Sequence, residues 1–124
     1  MTSAESSTTT SGVPTTSGEA HSPQHCDAAL ARAFDLLGKR WNGVILGTLA
    51  NGEAGFSELK RRVEGISDSV LSDRLSELQA VGLIVRTVQS GPPVAVTYAL
   101  SPSGNALVPA MFALSQWASS NIAP

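Results

Sequence analysis

From Asp27 onward the apolar residues recur at helical spacing, and before it they do not. Leu30, Phe34 and Leu37 fall at i, i+4 and i+7, which predicts a helix capped by Asp27 and stopped at Gly38. Trp41, Val44, Ile45, Thr48 and Leu49 make a second apolar face that ends at Asn51-Gly52, so two helices meet at Gly38-Lys39-Arg40. Phe56, Leu59 and Val63 outline a shorter helix with Ser57 as its cap, and they leave Lys60, Arg61 and Arg62 on the polar side. Glu64-Gly65-Ile66 interrupts the pattern. Ser67 then caps a further helix, with Asp68 at the positive end of its dipole and Leu71, Leu75 and Leu78 as its apolar stripe. The opposite face of that helix is short and polar, carrying Ser69, Ser72, Asp73 and Ser76, and the helix stops near Val81-Gly82.

The period then changes. Residues 83–88, LIVRTV, and 94–100, VAVTYAL, are rich in β-branched side chains and flank the turn composition QSGPP, so they read as a two-stranded hairpin. Ser101-Pro102 supplies an N-cap followed by proline at the first helical position. In the last helix Leu107, Met111, Leu114 and Ala118 follow a/d spacing, with Val108, Phe112 and Trp117 beside them. Such an arc is wider than packing on one core requires, and it predicts burial against a second copy of the chain.

Residues 1–25 contain Ser or Thr at about half their positions, two prolines and no aromatic residue, too little apolar surface to offset the entropy of ordering. They read as a disordered tail, leaving 26–124 as the folded domain. The tail lacks the basic start and apolar run of a secretory signal, and nothing later approaches the ~18 apolar residues of a membrane span, so a cytoplasmic protein is expected. The net charge of −2, from 8 basic and 10 acidic residues, argues at first against a nucleic-acid partner. The tail, however, holds Glu5 and Glu19 and no Lys or Arg, which leaves the ordered part neutral with its positive charge gathered at Lys39-Arg40 and Lys60-Arg61-Arg62. The chain has no phosphate-binding glycine loop, no nucleophile–base pair and no set of metal ligands, and both histidines, His21 and His25, lie in the tail. Neither an enzyme nor a resident cofactor or metal is expected.

Helix, helix, helix–turn–helix, hairpin, helix is the order of a winged helix-turn-helix domain, an α+β, mostly α fold with a two-stranded wing between flanking N- and C-terminal dimerisation helices. In that fold the second helix of the pair enters the major groove, where slim polar side chains approach base edges. Ser67, Ser69, Ser72 and Arg74 meet this need. Lys60, Arg61 and Arg62 are placed for phosphates, and Arg86 lies at the base of the wing.

From Cys26 to about Ala118 the chain resembles the HxlR-type branch of the MarR-like winged-helix transcriptional regulators. The resemblance rests on Cys26; on Gly38, Lys39, Trp41, Ile45, Leu46 and Leu49; on Phe56, Glu58 and Leu59; on Leu71, Arg74, Leu75, Glu77, Leu78, Gly82, Leu83 and Arg86; and on Tyr98, Leu100, Ser101, Pro102, Gly104, Leu107, Leu114 and Trp117. It implies a homodimer that binds a pseudo-palindromic operator in double-stranded DNA, joined through the first and last helices, with Leu30, Phe34, Leu107, Met111, Leu114 and Trp117 at the interface. It also implies a repressor. Three positions depart from the family pattern: Ser69 stands where Lys, Arg or Gln is frequent, Asp73 adds a negative charge, and Ala95 replaces a basic wing residue. Weaker, more salt-sensitive DNA binding is the expected result.

Cys26, the one cysteine, is expected just before the first helix, where the helix dipole favours the thiolate; His25 adds to that effect when charged, and Asp27 opposes it. Several HxlR-type proteins sense electrophiles, quinones or oxidants through a cysteine at this point, so the resemblance implies redox control of DNA binding at Cys26. Lacking a second cysteine, the chain could form a disulfide only between subunits or with a small thiol. Three alternatives remain open: a cysteine that merely packs the first helix, a regulator controlled by a small non-covalent ligand, and a winged helix used for protein contacts alone.

Overall fold

The computed structural model describes residues 23–124, with side chains from Ala28 on; the expected tail lies outside the described residues as far as residue 22. The chain divides into two units at Leu37/Gly38. The first contains helix α1, Pro23–Leu37. It starts four residues before the expected cap, so Asp27 lies inside the helix and Cys26 sits in its first turn rather than ahead of it. Leu30 and Phe34 are 56% and 55% exposed.

The second unit runs α2 (Asn42–Leu49), α3 (Phe56–Arg62), α4 (Asp68–Ala80), β1 (Ile84–Gln89), β2 (Ala95–Leu100) and α5 (Pro102–Asn121). Its core is aliphatic. Ile45, Leu46, Leu59, Val63, Leu71, Leu75 and Leu78 are each at most 1% exposed, and each such burial is worth about 1.5–3 kcal/mol. The stripe expected on α4 is therefore the one observed. On α2 the buried set is Asn42, Ile45, Leu46 and Leu49, whereas Val44 is 48% exposed and Thr48 half-buried. The sequence of α2, NGVILGTL, is apolar on nearly every side, so neighbours and not periodicity choose the face.

Gly55, not Ser57, occupies the cap position of α3, and it does so without a side-chain bond. The reason lies just upstream: Ala54 forms an antiparallel bridge with Tyr98 (N···O 3.0 and 2.8 Å), which holds the backbone extended until Phe56 turns helical. Ser67 caps α4 as expected, accepting from the Val70 N–H at 3.2 Å. At the other end of α4, Gly82 adopts φ +83°, its N–H bonds the Gln79 carbonyl, and the Leu83 N–H reaches back to Leu78, each at 3.0 Å. That is a Schellman closure, which requires a residue at ease in the left-handed region.

The hairpin pairs Ile84 with Leu100 through Gln89 with Ala95. Only Ile84 of β1 is buried, whereas β2 stays against the body as far as Tyr98, which is buried; beyond that pair the hairpin projects as a wing. Ser101 then joins three elements: its N–H bonds the Leu83 carbonyl at 2.9 Å, its hydroxyl donates to the Gly82 carbonyl at 2.6 Å, and that oxygen accepts from the Gly104 N–H at 3.0 Å. Proline at the first position and a serine cap start α5 as the sequence predicts. Along α5, Phe112, Leu114 and Trp117 are 64%, 47% and 55% exposed. Among the described residues no helix is long and apolar enough to cross a membrane.

Candidate nucleic-acid interface

The α3–turn–α4 pair presents the polar face that the sequence predicts. Leu71, Leu75 and Leu78 turn α4 inward, so Ser69, Ser72, Asp73 and Ser76 stand exposed on the far side, one above another at i, i+3, i+4 and i+7. Ser67 is exposed too, but its hydroxyl is engaged with the Val70 N–H and lies 3.4 Å from the Ser69 hydroxyl. No side chain on this face is longer than aspartate, so the helix backbone can approach a groove floor closely.

The basic triplet is at the surface, but its charges are not equally available. Lys60 pairs with Asp68 in the first turn of α4 at 3.0 Å, and Arg62 pairs with Glu58 one turn back at 2.7 Å. Arg61 is exposed and makes no ion pair among the described residues. Exposed pairs of this kind are worth at most about 1 kcal/mol, so a phosphate can compete for Lys60 and Arg62, while Arg61 is available outright. Arg86 is exposed on β1, opposite Tyr98 in the hairpin register. The wing carries no other charged residue, and Val88 and Val94 are 51% and 67% exposed.

Arg74 is placed apart from the serines. Its side chain is only 21% exposed, and Nη1 lies 2.7 Å from Oε1 of Glu77, one turn along α4. Glu77 also accepts from the Lys39 ammonium at 2.9 and 3.0 Å. The Lys39 hydrogen bonds above all, with the Arg74 charge in support and burial in opposition, hold the Glu77 carboxyl below its usual value. The carboxylate is therefore ionised throughout the neutral range, and Arg74 is drawn along the helix towards it instead of standing out with the serines. The pattern L..RL.EL contains the signal: Arg74 and Glu77 are three residues apart, a spacing that lets them meet on a helix.

The residues expected at a dimer contact divide into two groups. Leu30 and Phe34 of α1, and Leu114 and Trp117 of α5, are exposed. Leu107 and Met111 are half-buried, and Met111 joins Gly47, Ala50, Val108, Phe112 and Ser115 around a groove of about 310 Å³ between α2 and α5. Phe112, the most exposed aromatic of α5, belongs with the outward group, as its place beside the a/d positions allows. The side chain of Cys26 lies outside the described part. Among the described residues no cluster of three or more His, Cys, Asp or Glu could hold a metal ion.

Comparison with known proteins gives this geometry a context. The HxlR-like helix-turn-helix family model matches residues 36–124. The HTH-type transcriptional regulator YvaP of Bacillus subtilis is 40% identical over 93 residues, covering 75% of this chain and 86% of its own. YodB, an HTH-type transcriptional regulator of the same organism, is 40% identical over 86 residues, covering 69% and 77%. The structure of reduced YodB superposes with a TM-score of 0.72 at 36% identity over 77% of this chain and 94% of that one; YodB has also been solved in diamide-treated and quinone-bound forms. The oxidised form of the redox regulator HypR superposes with a TM-score of 0.71 at 28% identity, covering 77% and 99%.

Proposed function

The chain belongs to the HxlR-like helix-turn-helix family, and from that membership we propose a homodimer that binds a pseudo-palindromic operator and releases it when Cys26 is modified. As a transcriptional regulator of HxlR type it is a member of a family of regulators and not of enzymes. The observation that carries the DNA-binding reading is the exposed face of α4, a run of short polar side chains next to an unpaired Arg61. In this reading Ser67, Ser69 and Ser72 meet base edges, and Lys60, Arg61, Arg62 and Arg86 meet phosphates. The dimer places two α4 helices about one DNA turn apart, each reading one half-site.

The phosphate assignment has a direct measure. Arg61→Ala with Arg62→Ala is expected to lower affinity for operator and random DNA alike, by about tenfold, and to flatten the plot of log affinity against log salt by roughly 0.9 for each phosphate no longer neutralised. An unchanged slope would place these arginines away from the backbone.

Likeness to YodB supports the control step. The first turn of a helix favours a thiolate, and Cys26 lies in the first turn of α1. A quinone would add to that thiolate. Diamide would take two electrons and two protons from two thiols, joining Cys26 of one subunit to that of its partner or to a small thiol. Wild-type protein is expected to leave its operator on treatment with diamide or a quinone and, after diamide, to rebind on reduction. Cys26→Ser is expected to bind as tightly and to ignore both reagents; release of the Ser variant by diamide would end the redox reading.

A further inference from the structure

We propose that Arg74, Glu77 and Lys39 are positioning residues that fix the angle of the reading helix, and that Arg74 meets neither base nor phosphate; this rests on α4 being the helix that enters DNA. The turn between α1 and α2 touches α4 at one end and its approach at the other. Lys39 reaches the last third of α4 through two hydrogen bonds to Glu77. Trp41, two residues on, lies beside Gly65 in the turn that leads into α4, where a Cβ on Gly65 would stand 3.7 Å from the ring. The guanidinium of Arg40 covers the same ring, 4.7 Å from its centroid. Four residues, 38–41, thus bracket a helix that is about 20 Å long.

Arg74 completes the bracket from within the helix. It closes on Glu77 from the N-terminal side while Lys39 closes from outside, so one carboxylate oxygen pair serves two cations held by different parts of the chain. An arginine only 21% exposed and committed to a carboxylate is poorly placed to reach a base edge ahead of Ser69 and Ser72. Lys39 is 51% exposed, so its pair with Glu77 contributes little to folding, and its effect falls on orientation. A small rotation of α4 about its inner stripe carries Ser69 and Ser72 away from the bases they read, and bidentate or close polar contacts to bases tolerate little displacement.

The test uses full-length protein, a duplex selected by the wild type from random-sequence DNA, and a scrambled duplex of equal length. Arg74→Ala, Glu77→Gln and Lys39→Met are each expected to lower the ratio of selected to scrambled affinity by about tenfold. The preferred base at every position of the selected site should stay the same, with its margin over the others reduced across the half-site and not at one base pair alone, and the salt slope of Arg74→Ala should remain within about 0.3 of wild type. Arg74→Ala combined with Glu77→Gln should lose no more than Glu77→Gln alone, because both act at one junction. Lys39→Arg, which keeps the charge, should hold the ratio within twofold. A merely structural role would lower both affinities together and leave their ratio unmoved, which would overturn the proposal. Loss of preference at a single base pair, or a slope lower by about 0.9 in Arg74→Ala, would overturn it too, by making Arg74 a direct contact. Failure of the wild type to select any duplex would instead remove the DNA-binding reading beneath it.

Discussion

Phe112→Glu is expected to yield a folded monomer whose affinity for a two-half-site operator falls by about 10²- to 10⁴-fold. Phe112 is 64% exposed on α5, so its replacement removes little of the protomer's own packing, and the melting temperature at equal dilution should change little. What changes is the surface offered to a second copy. Phe112, Leu114 and Trp117 expose three large apolar side chains around α5, and a charge at Phe112 would lie unpaired in any interface that covers that position. The loss in DNA affinity follows from linkage. A dimer binds its second half-site at an effective concentration set by the first, whereas separate protomers bind independently. Sedimentation of the variant and titration of full and half operators check both steps. A variant that remains dimeric with full operator affinity would move the interface off this face.

Gly104→Ala is expected to destabilise the second unit by about 1–3 kcal/mol or more, the usual cost of forcing atoms into a filled site. A Cβ at Gly104 would overlap the carbonyl oxygen of Leu83 and stand 3.2 and 3.3 Å from Leu100 Cδ2 and Cβ. The overlapped atom is backbone, and that same carbonyl accepts the Ser101 N–H, so neither side can yield without breaking the junction that joins α4, the wing and α5. For a unit of this size each kcal/mol corresponds to roughly 4–8 °C in melting temperature, so a fall of about 5–20 °C is expected by calorimetry. A melting temperature within 2 °C of wild type would show that α5 can move off Leu83 freely.

These two sites also show what a sequence discloses. Ser67, Ser101-Pro102 and the Leu71, Leu75, Leu78 stripe are legible because each acts over three or four residues, within one helix or at its end. The wing is legible from its change of period. Gly104 fits the family pattern, but its reason for being glycine is a carbonyl twenty-one positions earlier, which no local rule contains. The same applies to Arg74: its chemistry suits a DNA contact, and the arrival of Lys39, thirty-eight positions away from Glu77, at the carboxylate that Arg74 also meets is not written in any local pattern. The face of α2 and the start of α3 mislead for a related cause. Neighbours in space, Tyr98 above all, overrule a plausible serine cap.

The bridge between Ala54 and Tyr98 has a consequence for motion. Ala54 belongs to no helix or strand, yet its N–H is bonded to the wing and to nothing in its own segment. Opening of the hairpin from its tip leaves that bond intact, as does fraying of any helix; only departure of the whole wing from the body exposes it to solvent. The hydrogen on Ala54 is therefore expected to exchange in proportion to the population in which the wing has left the body, so that this one amide reports how firmly the wing is seated.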